Sequence, residues 1–267
     1  MRKLDPRLLE GRLVILSPHL DDAALSLGAT IARVSRARSD VTVVTVRAGN
    51  PDSSAPAGEW DSACGFATAG EAARERRRED ERACAILGAA PEWLPFPDLD
   101  APGHENDDAI WSEIAARLAG ADLVFVPGFP LEHPSHAWLA RLVVERASAG
   151  TKVAFYVEQP YMNLRVMKRG YSLDTIARTL RIALRTPSGR RLQQPGPSEL
   201  ISESVASQVD WIASPASRRE RQAKNDAIRM YASQLDALGP RLLARIRLYE
   251  WGWGGEGIGL RREDRRQ

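Results

Sequence analysis

Residues 13–30, LVILSPHLDDAALSLGAT, constrain the fold more than any other stretch of the chain. Leu13 to Leu16 is an uninterrupted apolar run of strand length, and Ser17-Pro18 closes it with residues that favour leaving a ladder. From Asp22 the period changes. Leu25, Gly28, Ala29 and Ala32 recur at helical spacing behind an aspartate placed where a helix begins. The junction holds His19-Leu20-Asp21-Asp22. In an open α/β sheet the loop leaving a strand's carboxyl end faces the crevice where ligands bind, so one imidazole and two carboxylates are directed at one small volume. That composition suits a divalent metal with a base to spare. It also suits a helix cap at Asp22, a turn residue at Asp21 and a hydrogen-bonded loop histidine at His19. A metal site needs a third ligand from elsewhere.

A second loop offers one. Leu123 to Val126 is another apolar run, followed by His133-Pro134-Ser135-His136 and a helix beginning near Ser135. The chain has 4 histidines, and all but His104 sit in these two loops. Such concentration favours the metal reading over the purely structural one.

These residues resemble the PIG-L (LmbE-like) family of zinc-dependent N-deacetylases. Its first signature, AHPDDE, is matched by Pro18 to Ala23 with Leu20 in place of proline and Ala23 in place of glutamate. Its second, HPDH, is matched by His133 to His136 with Ser135 in place of aspartate. Arg76, Glu79 and Leu87-Gly88, then Asp98, then Lys224, Ala227, Ile228, Tyr231, Ser233 and Gln234 also stand at family spacing. The resemblance runs from about Arg12 to Gln234. It implies a Rossmann-like, mostly parallel α/β sheet flanked by helices. It also implies removal of acetyl from an N-acetylglucosamine-type sugar of an antibiotic or glycan pathway. The implied ligands of Zn2+, or another divalent ion such as Fe2+, are His19, Asp22 and His136. Asp21 is the implied base, and a protonated His133 the acid beside the oxyanion. Arg76 and Asp98 are implied to meet substrate hydroxyls. For Asp98 an Asx turn after Pro97 is the other reading. Ser135 replaces a residue that orients its neighbours, a change expected to lower activity rather than alter the reaction.

The length of 267 residues and 43% hydrophobic content are enough for one substantial core. One domain is expected: a core over 12–160, a basic lid-like segment over 161–217 and a helical part over 218–260. A net charge of +2 is too small to argue for nucleic acid. Cys64 and Cys84 make neither a disulfide framework nor a thiolate metal site. With no apolar run of 18 residues and no signal-like start, the expected setting is cytoplasmic.

Val41 to Val46 reads as a second strand and Trp93 to Phe96 as a third, with Asp98 following into the same crevice. Residues 49–70 form a long loop in which Trp60 packs down or faces a sugar ring, packing being favoured. Glu71 to Leu87 is a charged helix, Ala109 to Leu118 and Trp138 to Ala147 are further helices, and Lys152 to Val157 is another strand. This alternation argues for parallel βαβ units. Residues 165–191 carry eight basic residues against Asp174 alone. They read as a solvated face or as a rim for an anionic substrate. Arg218 to Leu235 reads as one long helix, and Trp251 to Gly255 as a turn-rich segment packed on the body.

Asp21 is the natural base because successive side chains diverge, so it does not share a metal held by Asp22. Other readings are an amidase acting on a longer acyl chain or thiol-sugar conjugate, and a non-catalytic sugar- or nucleotide-binding protein. Dinucleotide binding is disfavoured, since the first strand-loop-helix lacks GxGxxG and puts acids where pyrophosphate sits.

Overall fold

β1, Arg12–Ser17, is a run of apolar side chains buried on both faces, the pattern of a central parallel strand. A computed structural model describes residues 4, 6–98, 107–162, 208–239 and 241–261. Within them β2 (Asp40–Thr45), β3 (Ala90–Trp93), β4 (Leu123–Phe129), β5 (Val153–Val157), β6 (Val209–Ser214) and β7 (Glu256–Arg261) join β1 in one sheet of order β3-β2-β1-β4-β5-β7-β6. The first five strands pair in parallel, and β7 runs antiparallel to both β5 and β6. The expected α/β fold with a mostly parallel, helix-flanked sheet is what the chain adopts.

The strands send alternate residues to opposite faces, as the period of two requires. Leu13, Ile15, Val41, Val43, Phe125 and Tyr156 pack under α1 (Asp22–Arg36) and α3 (Ala69–Leu87), whereas Val14, Leu16, Val44, Val124, Val126 and Phe155 pack with Leu139 and Val143 of α5 (Pro134–Arg146). α4 (Asp107–Leu118) lies on the second face through Ile110 and Ile114, and α2 (Glu59–Ala63) is a short helix on the rim with no buried residue. α6 (Arg218–Ile228), α7 (Ala232–Leu238) and α8 (Leu242–Trp253) complete the helices among the described residues. None is long and apolar enough to cross a membrane.

The C-terminal half departs from expectation. The segment read as lid-like, 161–217, ends in β6, and the part read as helical, 218–260, ends in β7, which inserts between β5 and β6. The EGIGLR of β7 looks like a turn in composition. Its glycines are there for close approach, since a Cβ on Gly257 would stand 2.4 Å from Val157 Cγ2 and one on Gly259 2.6 Å from Val209 Cγ1. β3 comes earlier than expected because its register against Thr42–Thr45 begins at Ala90. The single long helix read over Arg218 to Leu235 is two, α6 and α7, separated around Tyr231, whose hydroxyl reaches down to Asp80 at 2.7 Å. Trp253 is buried, but Trp251 is 57% exposed and does not pack as expected. His104, the basic stretch 165–191 and the tail after Arg261 lie outside the described residues.

Candidate metal centre and active site

The chain runs from β1 to β2 on one side and later returns to place β4 on the other, with Leu13 opposite Leu123 and Ile15 opposite Phe125. The loops leaving β1 and β4 diverge at this reversal, the position where open parallel sheets bind ligands. His19 and Asp21 come from the first loop and Asp22 from the start of α1; His133 ends the second loop and His136 lies in the first turn of α5.

Three of their atoms form a nearly equilateral triangle. His19 Nδ1 is 3.2 Å from Asp22 Oδ2, His136 Nε2 is 3.1 Å from Asp22 Oδ2, and the two ring nitrogens are 3.2 Å apart. Tetrahedral zinc, with ligands at about 2.0–2.2 Å, spaces its donor atoms by roughly 3.3–3.6 Å, slightly more than the separations here. The donor set therefore fits a divalent metal ion, three protein ligands leaving room for water or substrate. His133 also belongs to the cluster, since the ligating atoms of His19, His133 and His136 all lie within 4.8 Å of one another.

Each of the two nearer imidazoles is backed by a carboxylate. His136 Nδ1 is 2.7 Å from Glu158 Oε1, and both residues are buried. His19 Nε2 is 3.0 Å from Asp98 Oδ1. Glu158 was not singled out from the sequence, although it directly follows β5 and the strand-end rule applied to Asp98 covers it equally. Tyr161 closes this side, its ring edge-on to His136 with centroids 5.0 Å apart.

Asp21 occupies the N-cap position of α1 at φ 122°, yet its side chain makes no capping bond. A non-glycine residue held there costs on the order of 1–3 kcal/mol, so its carboxylate is presented at a conformational cost that capping does not recover. Asp22 is the first residue of the helix, and its Oδ2 takes the His19 amide at 3.0 Å. Burial and the neighbouring Asp22 charge raise the Asp21 carboxyl to about 8, against the opposing pull of Arg76, His19 and His136. Burial also works against ionised Asp22, but His136 and His19 hold it well below the usual carboxylate range. The same burial would lower His136, yet Asp22 and Glu158 raise it to about 10.

The His133 ring lies 4.9 Å from that of His19 and 5.1 Å from that of His136. Burial, with His19 and His136 as positive neighbours, lowers His133 to about 4. Its Nδ1 accepts the Ser135 amide at 3.3 Å, capping α5. A neutral ring accepting at Nδ1 carries its hydrogen on Nε2, so His133 remains a donor without the charge.

Arg76 is half of an ion pair with Asp61 Oδ1 at 3.1 Å, and its Nη2 lies 3.5 Å from Leu20 O, beside Asp21. Asp98 touches His19 and also accepts the Ser135 hydroxyl at 3.1 Å. Trp60 does not pack down: it is 46% exposed, and its indole donates to Gln234 Oε1 at 2.6 Å. Arg47, unremarked in the sequence, leaves β2 buried, lies over the Trp138 ring at 4.4 Å and donates to Pro97 O at 2.6 Å.

The PIG-L family pattern, described as GlcNAc-PI de-N-acetylase, matches residues 14–147, a span that holds both histidine loops. This chain belongs to the PIG-L family. A curated relative, the 2'-N-acetylparomamine deacetylase of Streptomyces fradiae, is 30% identical over 184 residues, covering 61% of this chain and 62% of its own length. The chain thus matches less than two thirds of that relative. Among solved structures, the A40926 pseudoaglycone deacetylase aligns at 24% identity and a TM-score of 0.69, over 94% of this chain and 97% of that one. N,N'-diacetylchitobiose deacetylase from Pyrococcus horikoshii aligns at 18% identity and a TM-score of 0.57, over 92% of this chain and 82% of that one. At these identities the structural likeness speaks for the PIG-L fold.

Proposed function

We propose that the chain is a single-domain, zinc-dependent N-deacetylase that hydrolyses the N-acetyl group of an N-acetylglucosamine-type sugar or glycoconjugate to acetate and a free amine. The observation that carries this reading is the triangle of His19 Nδ1, Asp22 Oδ2 and His136 Nε2 at 3.1–3.2 Å, with the adjacent residue Asp21 uncommitted to capping. Family membership and the paromamine relative support the amino-sugar class. Two imidazoles in the donor set favour zinc, or Fe2+, over magnesium or calcium. The unpaired Cys64 and Cys84 fit a reducing, cytoplasmic setting.

His19, Asp22 and His136 would hold the ion, which when bound polarises the amide carbonyl and makes its water acidic. Asp21 takes the proton from the attacking water and returns it to the departing amine. His133 Nε2–H donates to the carbonyl oxygen as it becomes negative. Arg76 lines the approach next to Asp21, where its guanidinium can meet substrate hydroxyls once Asp61 releases it.

The test is metal analysis of purified protein together with acetate release from a panel of N-acetylhexosamine compounds, phosphorylated, glycosylated and free. One bound divalent ion per chain and acetate from at least one amino sugar are expected. Metal-loaded protein that releases acetate from none of the panel would overturn the reading.

A further inference from the structure

The two nitrogens of His19 face different partners. Nδ1 points into the triangle with Asp22 and His136, whereas Nε2 stands 3.0 Å from Asp98 Oδ1. An imidazole offers one nitrogen to a cation only when the other carries the proton, and an acceptor at that second nitrogen fixes both tautomer and ring orientation. Asp98 Oδ1 offers such an acceptor by distance and charge, although the Nε2–H is not aligned on it. Its carboxylate is itself held: the same oxygen accepts the Ser135 hydroxyl at 3.1 Å, and Arg47 ties the preceding residue through Pro97 O at 2.6 Å. Ser135 is fully buried and sits between His133 and His136 in the second loop. One carboxylate oxygen therefore joins a ligand of the first loop to the helix start of the second.

We propose that Asp98 is a positioning residue for His19, locking it as the Nε2–H tautomer with Nδ1 free for the metal, and that Ser135 and Arg47 hold Asp98 for this purpose. The inference rests on the reading of His19 as a metal ligand. It separates Asp98 from a residue whose work is to bind sugar hydroxyls, the role implied by family spacing. Half of the Asp98 side chain is exposed, so contact with substrate is not prevented. Its Oδ1 nevertheless already accepts from Ser135 and lies 3.0 Å from His19 Nε2.

The two roles differ in what they disturb. Metal-free full-length protein is titrated with Zn2+ against a chromophoric chelator, and with Co2+ to record the visible spectrum of the bound ion, for the parent, Asp98→Ala, Asp98→Asn and Ser135→Ala. A positioning role predicts zinc affinity lower by roughly 10- to 100-fold in Asp98→Ala, with a changed cobalt spectrum. Asp98→Asn, whose amide oxygen can still accept from both neighbours, should recover much of the loss, and Ser135→Ala should move affinity the same way by a smaller factor. Unchanged zinc affinity and cobalt spectrum in a folded Asp98→Ala, with only KM raised, would overturn the inference and leave the metal centre standing. If the parent binds zinc no more tightly than His19→Ala does, the reading of His19 as a ligand fails and this inference fails with it. Circular dichroism melts identify any variant that has lost its fold, and the Asp98→Asn arm then decides.

Discussion

Glu158 accepts from His136 Nδ1 at 2.7 Å through one carboxylate oxygen and from the Leu131 amide at 2.7 Å through the other. A side chain leaving β5 thus fixes both the orientation of an imidazole on α5 and the loop that leads to it. Glu158→Gln keeps the size but loses the charge that favours proton residence on Nδ1. Zinc affinity is expected to drop by about 10- to 100-fold, as for other partners of metal-bound histidines, with secondary structure retained. Chelator competition measures it, and parent-like affinity would show that His136 needs no such partner.

Asp21→Asn is expected to retain stoichiometric zinc and lose turnover, whereas His19→Ala and His136→Ala lose the ion. Zinc retained in both histidine variants would refute the ligand assignment. His133→Ala should keep the ion and lower kcat by roughly 10²-fold, the scale of a lost donor to a developing oxyanion. Metal content by atomic absorption and kcat from acetate release separate the three outcomes.

Lys224 is buried with its ammonium 2.5 Å from Glu250 Oε1 and 2.6 Å from Glu256 Oε1. Glu256 in turn accepts the amides of Ala29 and Thr30 in α1 at 2.9 and 2.7 Å. The lysine thereby joins α6, α8 and β7 to the helix that starts at the metal centre. Lys224→Met leaves two carboxylates buried without their cation, and a loss of about 3–5 kcal/mol is expected in urea unfolding. A loss below about 1 kcal/mol, the scale of exposed pairs, would mean that water reaches this cluster.

Asp80 receives hydrogen bonds from Trp93 Nε1 at 2.8 Å and Tyr231 Oη at 2.7 Å. Burial nevertheless raises its carboxyl above the ordinary value of 3.8, the two bonds opposing the rise. A raised folded value means a contribution that is present below the unfolded value and lost as pH climbs through the folded one. Asp80→Asn cannot ionise, so its stability relative to the parent should improve between pH 4 and pH 7. Urea unfolding at several pH values checks this, and a pH-independent difference would mean that the folded and unfolded carboxyls titrate alike.

The sequence alone determined the strand-loop-helix at residues 13–30, the second loop at His133 to His136 and the parallel α/β class, because apolar period and loop chemistry are local properties. It also placed His19, Asp21, Asp22 and His136 in one family pattern. The tertiary structure alone decided that β1 and β4 are neighbours, bringing residues 117 positions apart to 3.2 Å. It decided as well that Glu158 and Asp98 back the two imidazoles, that His133 spends Nδ1 on a helix cap, and that the glycine-rich EGIGLR is a strand inside the sheet. Those outcomes depend on which backbone lies within hydrogen-bonding reach of which side chain. Pairing across a sheet is set by packing of distant segments, and no window of neighbouring residues carries it.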